Sequence, residues 1–169
     1  MTLPNARRRL ALACMTPLLL TVACWDDGTS PRDYTPLVCA GGTGASASST
    51  IGPAGGTVTV NGNSLIVPAG ALSSAVTFRI TERGDRSVGV EVQPHGTQFS
   101  KDATLALSYA RCGNLAGYKD FRIVEVDSGT TRVLRTLPSQ VDSATRTVRT
   151  TRLNHLSGYL IGSNRSSEE

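Results

Sequence analysis

Apolar and polar residues alternate along several short segments of this chain, and this period of two constrains the fold more than any other feature. The alternation is clearest in residues 76–81, 88–93 and 105–109. Successive side chains of a β-strand point to opposite faces, so each segment predicts a strand with one buried and one solvated face. No stretch after the first 23 residues has convincing helical periodicity.

Turn signals separate these segments at short intervals. Asn61-Gly62 lies between the apolar runs 57–60 and 65–67 and predicts a tight hairpin, whose turn requires positive φ. Further strands are predicted at 121–126, 131–137, 145–151 and 156–161. This spacing is typical of a sandwich, so we expect an all-β fold with a single β-sandwich domain of antiparallel strands.

The first 23 residues have the features of an export signal. Three arginines at positions 7–9 precede a mainly apolar run from Leu10 to Ala23, which is shorter than the about 20 apolar residues that a permanent membrane helix needs. A basic start followed by a short apolar core is typical of a signal peptide. We therefore expect residues 1–23 to be removed.

The end of this signal, Val22-Ala23-Cys24, resembles that of bacterial lipoproteins, in which the cysteine thiol receives a diacylglycerol and becomes the new N-terminus. Thr21 departs from the pattern, which usually has Leu, Ile or Val at that position. The resemblance implies lipidation at Cys24 and attachment to the membrane; the alternative is an ordinary secretory signal cut near Ala23. Trp25 follows Cys24, so the aspartate associated with inner-membrane retention is displaced to Asp26. This favours the outer membrane.

The remaining cysteines are expected to form a disulfide. Cys14 is lost with the signal and Cys24 carries lipid, which leaves Cys39 and Cys112. An exported compartment is oxidising, so a Cys39–Cys112 bond is the default expectation. Two thiols without further His or Cys ligands do not predict a metal site.

The formal charge of +4 does not argue for a nucleic-acid partner. Three of the 17 basic residues lie in the signal, where no acidic residue occurs, so the other 14 nearly balance the 13 acidic residues. Aromatic residues make up only 5% of the chain, which is too few for a base-stacking surface. Residues 24–50 are rich in Gly, Ser and Thr and predict a flexible linker, and residues 163–169 predict a disordered tail.

Several motifs within residues 51–162 resemble the ZU-five domain of ankyrins, netrin receptors and bacterial surface proteins. They are Gly55-Gly56-Thr57-Val58, Leu65-Ile66-Val67-Pro68-Ala69-Gly70-Ala71-Leu72, Gln93-Pro94-His95-Gly96-Thr97-Gln98-Phe99, Ala103-Thr104-Leu105-Ala106-Leu107-Ser108-Tyr109 and His155-Leu156-Ser157-Gly158-Tyr159. Ala103 stands where the family often has proline. The resemblance implies a module that binds other proteins or packs within its own chain, with no cofactor.

The sequence offers few residues for catalysis. His95 and His155 are its only histidines, and neither belongs to a hydrolase or metal motif. We therefore expect no enzyme, no metal, no cofactor and no small-molecule substrate. The expected partners are the membrane, through the lipid, and an envelope protein or polysaccharide.

One reaction is implied by resemblance. His155-Leu156-Ser157 is similar to the His-Phe-Ser sequence at which some relatives of the ZU-five module cut their own backbone. Here Ser157 would attack the Leu156 carbonyl with His155 as base, by an N-to-O acyl shift. The alternative is that Leu156 and Tyr159 pack in or beside the core and that His155 is a surface residue.

A cluster of arginines provides a second hypothesis. If residues 131–137 and 145–151 pair as a hairpin, several guanidinium groups share a face that could bind anionic lipid or acidic polysaccharide. The five residues are Arg132, Arg135, Arg146, Arg149 and Arg152. The alternative, which we favour, is a solvated strand face that resists aggregation.

Overall fold

Two antiparallel β-sheets pack face to face in the computed structural model, which describes the backbone of residues 34–165 and the side chains of residues 34–164. Within that range there is no helix, so the prediction of an all-β sandwich is confirmed. The expected signal 1–23, the expected lipidation site Cys24 and residues 166–169 lie outside the described residues. No helix in the described part of the chain is long and apolar enough to cross a membrane.

Within residues 34–165, twelve strands make up the two sheets. In chain order they are β1 (Thr35–Pro36), β2 (Ser46–Ile51), β3 (Gly56–Val60), β4 (Asn63–Val67), β5 (Val76–Glu82), β6 (Gly89–Gln93), β7 (Gln98–Ser108), β8 (Tyr118–Val126), β9 (Val133–Leu137), β10 (Gln140–Asp142), β11 (Thr147–His155) and β12 (Gly158–Arg165). The seven-stranded sheet has the order β2-β5-β6-β12-β8-β9, with β1 also paired to β12. The five-stranded sheet has the order β10-β11-β7-β4-β3.

The alternating residues fill the space between the sheets, as the sequence predicts. Phe78 and Ile80 of β5 are fully buried, and their neighbours Thr77 and Arg79 are exposed. The same pattern places further apolar residues in one continuous core, among them Val88, Val90, Val92, Leu105, Leu107, Tyr109, Ile123, Tyr159 and Ile161.

The Asn61-Gly62 hairpin is confirmed. Val60 of β3 pairs with Asn63 of β4, and the two turn residues have φ of 47° and 78°. Asparagine and glycine adopt positive φ most readily, so the turn residues fix the register of this hairpin.

The predicted linker was wrong for residues 34–50, which belong to the sandwich. Tyr34 and Leu37 are buried, and the Leu37 amide donates to the Ile161 carbonyl at 2.7 Å. β2 lies at the edge of the large sheet, and before Ile51 only the small residues Ala47 and Ser49 face the core. Because the strand contains no large apolar residue before Ile51, its sequence resembles that of a linker. At the other end, β12 extends through Arg165, so the predicted tail begins too early.

The hairpin between residues 131–137 and 145–151, on which the hypothesis of a shared arginine face depends, does not form. β9 pairs with β8 in the large sheet, whereas β11 pairs with β7 and β10 in the small sheet. The chain changes sheets between Leu137 and Gln140, and the short strand β10 has no apolar pattern that would reveal it.

Candidate functional site

A charged cluster lies where β8 of one sheet faces β11 of the other. Glu125 is on the same face of β8 as the core residue Ile123, and its side chain is only 9% exposed. Its carboxylate Oε1 lies 2.9 Å from Nε2 of His155, the last residue of β11. The pair therefore joins the two sheets at a point where most other inward residues are apolar.

Arg135 of β9 completes this cluster. Its Nε donates to Oε2 of Glu125 at 2.5 Å, and its Nη2 lies 3.2 Å from Nδ1 of His155. Burial raises the pKa of Glu125, but the hydrogen bonds from His155 and Arg135 outweigh burial, so the pKa lies below its ordinary value. Glu125 is consequently ionised at neutral pH.

His155 and Ser157 are two residues apart in the chain, but their side chains form hydrogen bonds with different partners. The Ser157 hydroxyl donates to the carbonyl of Val126 at 3.2 Å, while Nε2 of His155 faces Glu125. Nδ1 of His155 also lies 2.8 Å from Oδ1 of Asn154, so both ring nitrogens have partners. In this arrangement His155 is not placed to take the Ser157 proton, and the geometry does not favour the acyl shift.

Residues on either side of Ser157 anchor the same segment to the core. Leu156 is buried, and the Tyr159 hydroxyl donates to the His155 carbonyl at 2.7 Å. Burial and the nearby negative charge of Glu125 raise the pKa of Tyr159 well above its ordinary value, so its phenol remains a donor. The burial of Leu156 and Tyr159 matches the alternative interpretation of this triplet. The expectation that His155 is a surface residue was wrong, because its side chain is only 25% exposed and lies against Glu125.

The five arginines do not gather on one hairpin. Arg135 binds Glu125, and Arg146 donates to the carbonyl of Cys112 and lies 5.5 Å from the ring centre of Tyr109. Arg132 precedes β9 in the large sheet, whereas Arg149 and Arg152 are exposed on β11 in the small sheet. Anion binding by the exposed arginines stays a prediction.

The predicted disulfide is present. Cys39 and Cys112 are joined, with their Cα atoms 5.1 Å apart, and both residues are buried. The bond ties the segment before β2 to the loop after β7, and the Cys39 amide also donates to the Arg86 carbonyl at 2.9 Å.

Beside the disulfide lies a polar cluster that the sequence analysis missed. Glu82, at the end of β5, is 6% exposed. Its Oε2 accepts hydrogen bonds from the Thr43 hydroxyl at 2.6 Å, the Thr43 amide at 3.2 Å and the Asn61 side chain at 2.8 Å. Burial raises the pKa of Glu82, but these hydrogen bonds and the charge of Arg111 lower it below its ordinary value.

Arg111 forms one wall of a cleft of about 360 Å³ next to Glu82. Its Nε lies 3.6 Å from Oε1 of Glu82, and its Nη2 donates to the Ser87 carbonyl at 2.7 Å. Its Nη1 is buried without a partner among the described residues. The guanidinium and the carboxylate form an ion pair, which leaves Nη1 as a buried donor without a described partner beside the cleft.

The sequence feature that marks this cluster is the glycine-rich run Gly41-Gly42-Thr43-Gly44. The sequence analysis assigned this run to the flexible linker. A Cβ on Gly42 would lie 2.0 Å from the Arg83 carbonyl oxygen, so only glycine allows the backbone to pass there. The run therefore packs the Thr43 backbone against Glu82. A glycine run with a close backbone approach and one in a flexible linker look alike in sequence.

Comparisons with protein-family models and with curated proteins gave no match for this chain. The side chains described also contain no group of three or more His, Cys, Asp or Glu residues arranged to hold a metal ion.

Proposed function

We propose that this protein is exported, anchored to the cell envelope by a lipid on Cys24, and presents its β-sandwich as a binding or structural module. The observation that carries the proposal is the Cys39–Cys112 disulfide. Structural disulfides persist in oxidising compartments and are rare where cytosolic reductants act. A buried disulfide therefore supports the interpretation of residues 1–23 as an export signal.

The module interpretation is supported by what the charged residues do. Glu82, Glu125, Arg111 and Arg135 are each paired with another side chain of the sandwich. Groups that stabilise one another in this way hold the fold together and are less free for chemistry on a substrate. The motifs that resemble the ZU-five domain favour the same class, and we propose an envelope protein or polysaccharide as the partner. Trp25, which displaces the aspartate to Asp26, favours the outer membrane as the location.

Mass spectrometry of the protein from membrane fractions tests the anchor. We expect a mature chain that begins at Cys24 and carries a diacylglycerol. Cys24→Ala is expected to abolish the lipid, whereas Cys14→Ala, which changes the cysteine within the signal, leaves it in place. A cytosolic chain that retains Met1 and has free thiols at Cys39 and Cys112 would overturn the proposal.

A pull-down from envelope extract tests the binding role. Purified wild-type protein is expected to retain a partner that a heat-denatured chain does not retain. Equal recovery of all components by both baits would contradict a folded binding surface.

A further inference from the structure

The outer edge of β2 pairs with no strand of residues 34–165, and its composition is unusual. The strand reads Ser-Ala-Ser-Ser-Thr-Ile and contains no charged residue and no proline. Proteins commonly protect exposed edges with charges, proline or bulges, because unpaired strand edges pair with other chains. β9 and β10, the edge strands at the opposite side of the sandwich, carry Arg135 and Asp142.

The hydrogen-bonding pattern shows which residues of β2 face this edge. The Glu82 amide donates to the Ala45 carbonyl at 2.8 Å, so these two residues form a hydrogen-bonded pair at the end of the β2–β5 ladder. Hydrogen-bonded and non-bonded pairs alternate along an antiparallel ladder. The main-chain groups of Ser46, Ser48 and Thr50 therefore point away from β5, toward the free edge.

These three residues are also open to solvent. Their side chains are exposed, and no described backbone group pairs with their amides or carbonyls. The side chains of Ala47 and Ser49, which alternate with them, lie half-buried on the core side. The edge thus combines free main-chain donors and acceptors with small uncharged side chains.

We propose that this edge pairs with β2 of a second copy of the chain, in an antiparallel dimer centred on Ser48. In that register Ser48 lies opposite its own copy and Ser46 lies opposite Thr50, so every outward-facing residue meets another one. About six main-chain hydrogen bonds form. A two-fold axis places the same small side chains on both sides, so no like charges meet.

The β2 edge suits pairing with a second copy better than the neighbouring edge of the sandwich, which is that of β3 in the small sheet. In the small sheet, Val60 and Asn63 flank a two-residue turn and form a bonded pair, so β3 directs only Thr57 and Thr59 outward. β2 directs three residues outward, Ser46, Ser48 and Thr50, and therefore offers the longer edge for pairing. Its six residues are nevertheless fewer than the about 20 that each partner contributes to a stable interface, so we expect a weak dimer that depends on protein concentration.

Cysteine cross-linking of the full chain tests the register. Opposed residues in a bonded pair have Cα atoms about 5.5 Å apart, within the range for a disulfide. Ser48→Cys is therefore expected to give a disulfide-linked dimer under mild oxidation. Thr50→Cys, on the same face of the same strand, is the matched control, because its two copies would lie about 14 Å apart and cannot be joined.

A second measurement tests the dimer without a cross-link. The Ser48 amide is not used in the β2–β5 ladder, so Ser48→Pro is expected to fold normally and to remove donors only from the free edge. Sedimentation should show a mass that rises with concentration for the wild type and a monomer for Ser48→Pro, with the same circular dichroism spectrum. The proposal requires both results. Equal cross-linking of Ser48→Cys and Thr50→Cys, a wild type that stays monomeric, or cross-linking of Ser48→Cys to a different protein would overturn it.

Discussion

Glu125 and His155 belong to opposite sheets, and a carboxylate oxygen of one lies 2.9 Å from a ring nitrogen of the other. Charged hydrogen bonds of this kind hold two layers in a fixed register, because they are directional and apolar contacts are not. The sandwich thus has a polar link between its sheets, Glu125–His155, near one edge. It also contains a covalent link, the Cys39–Cys112 disulfide.

Loss of the link between the sheets is expected to destabilise the protein. In His155→Ala, the mostly buried Glu125 keeps Arg135 but its carboxylate loses the hydrogen bond with His155, which costs about 1.5–3 kcal/mol. Urea unfolding measures the change. Arg152→Ala, at an exposed position of the same strand, is the control and should change stability by no more than about 0.5 kcal/mol. Equal midpoints for His155→Ala and the wild type would contradict the role of this pair.

Reduction of the disulfide is expected to lower the free energy of unfolding by about 4 kcal/mol. The bond closes a loop with a sequence separation of 73, and a cross-link of that span restricts the unfolded chain strongly. The double variant Cys39→Ala/Cys112→Ala should have the stability of the reduced wild type and no longer respond to reductant. If reductant destabilised the double variant as much as the wild type, the effect would not come from this bond.

Acid is expected to remove the contribution of Glu82 to the free energy of unfolding. Its pKa in the folded protein lies below the ordinary value of 4.5, so the folded state binds fewer protons than the unfolded state. The stabilisation is therefore present above about pH 4.5 and is lost as the pH falls through the folded pKa. We expect the wild type to be more stable than Glu82→Gln at pH 7, with the difference shrinking below pH 4.5. A difference that stayed constant from pH 7 to pH 3 would contradict this.

Gly42→Ala tests whether the glycine-rich segment belongs to the fold. The added methyl group would lie 2.0 Å from the Arg83 carbonyl oxygen, and backbone must move to make room for it. We expect a loss of about 1–3 kcal/mol or more in thermal or urea unfolding. Gly113→Ala is the matched control, since nothing lies within 4 Å of a Cβ there. Two variants of equal stability would mean that residues around Gly42 act as a linker.

The backbone is expected to stay intact at Ser157. Its hydroxyl donates to the Val126 carbonyl, and both ring nitrogens of His155 have other partners. Intact-mass measurement after long incubation should show a single chain, with the same result for Ser157→Ala. A fragment that begins at Ser157 in the wild type and is missing in the variant would establish self-cleavage instead.

The sequence alone determined the fold class, because each central strand has one face against the core and must alternate to bury it. Phe78 and Ile80 show this directly. It also determined the Asn61-Gly62 turn, which only residues tolerant of positive φ can form. The expectation that Cys14 is removed with the signal and that Cys24 carries lipid left Cys39 and Cys112 to pair. These are local or compositional constraints.

Only the tertiary structure decided which strands lie at the edges of the sheets and which polar side chains contact one another. Before Ile51, β2 turns only small side chains toward the core, and β10 has three exposed residues, so neither shows the alternation of large apolar and polar residues that identifies a strand. Arg135 and Arg149 are close in sequence but belong to different sheets, because the chain crosses over between them. The contacts of Glu82 with Thr43 and of Glu125 with His155 join residues far apart in the chain, and they form only when packing brings the strands together.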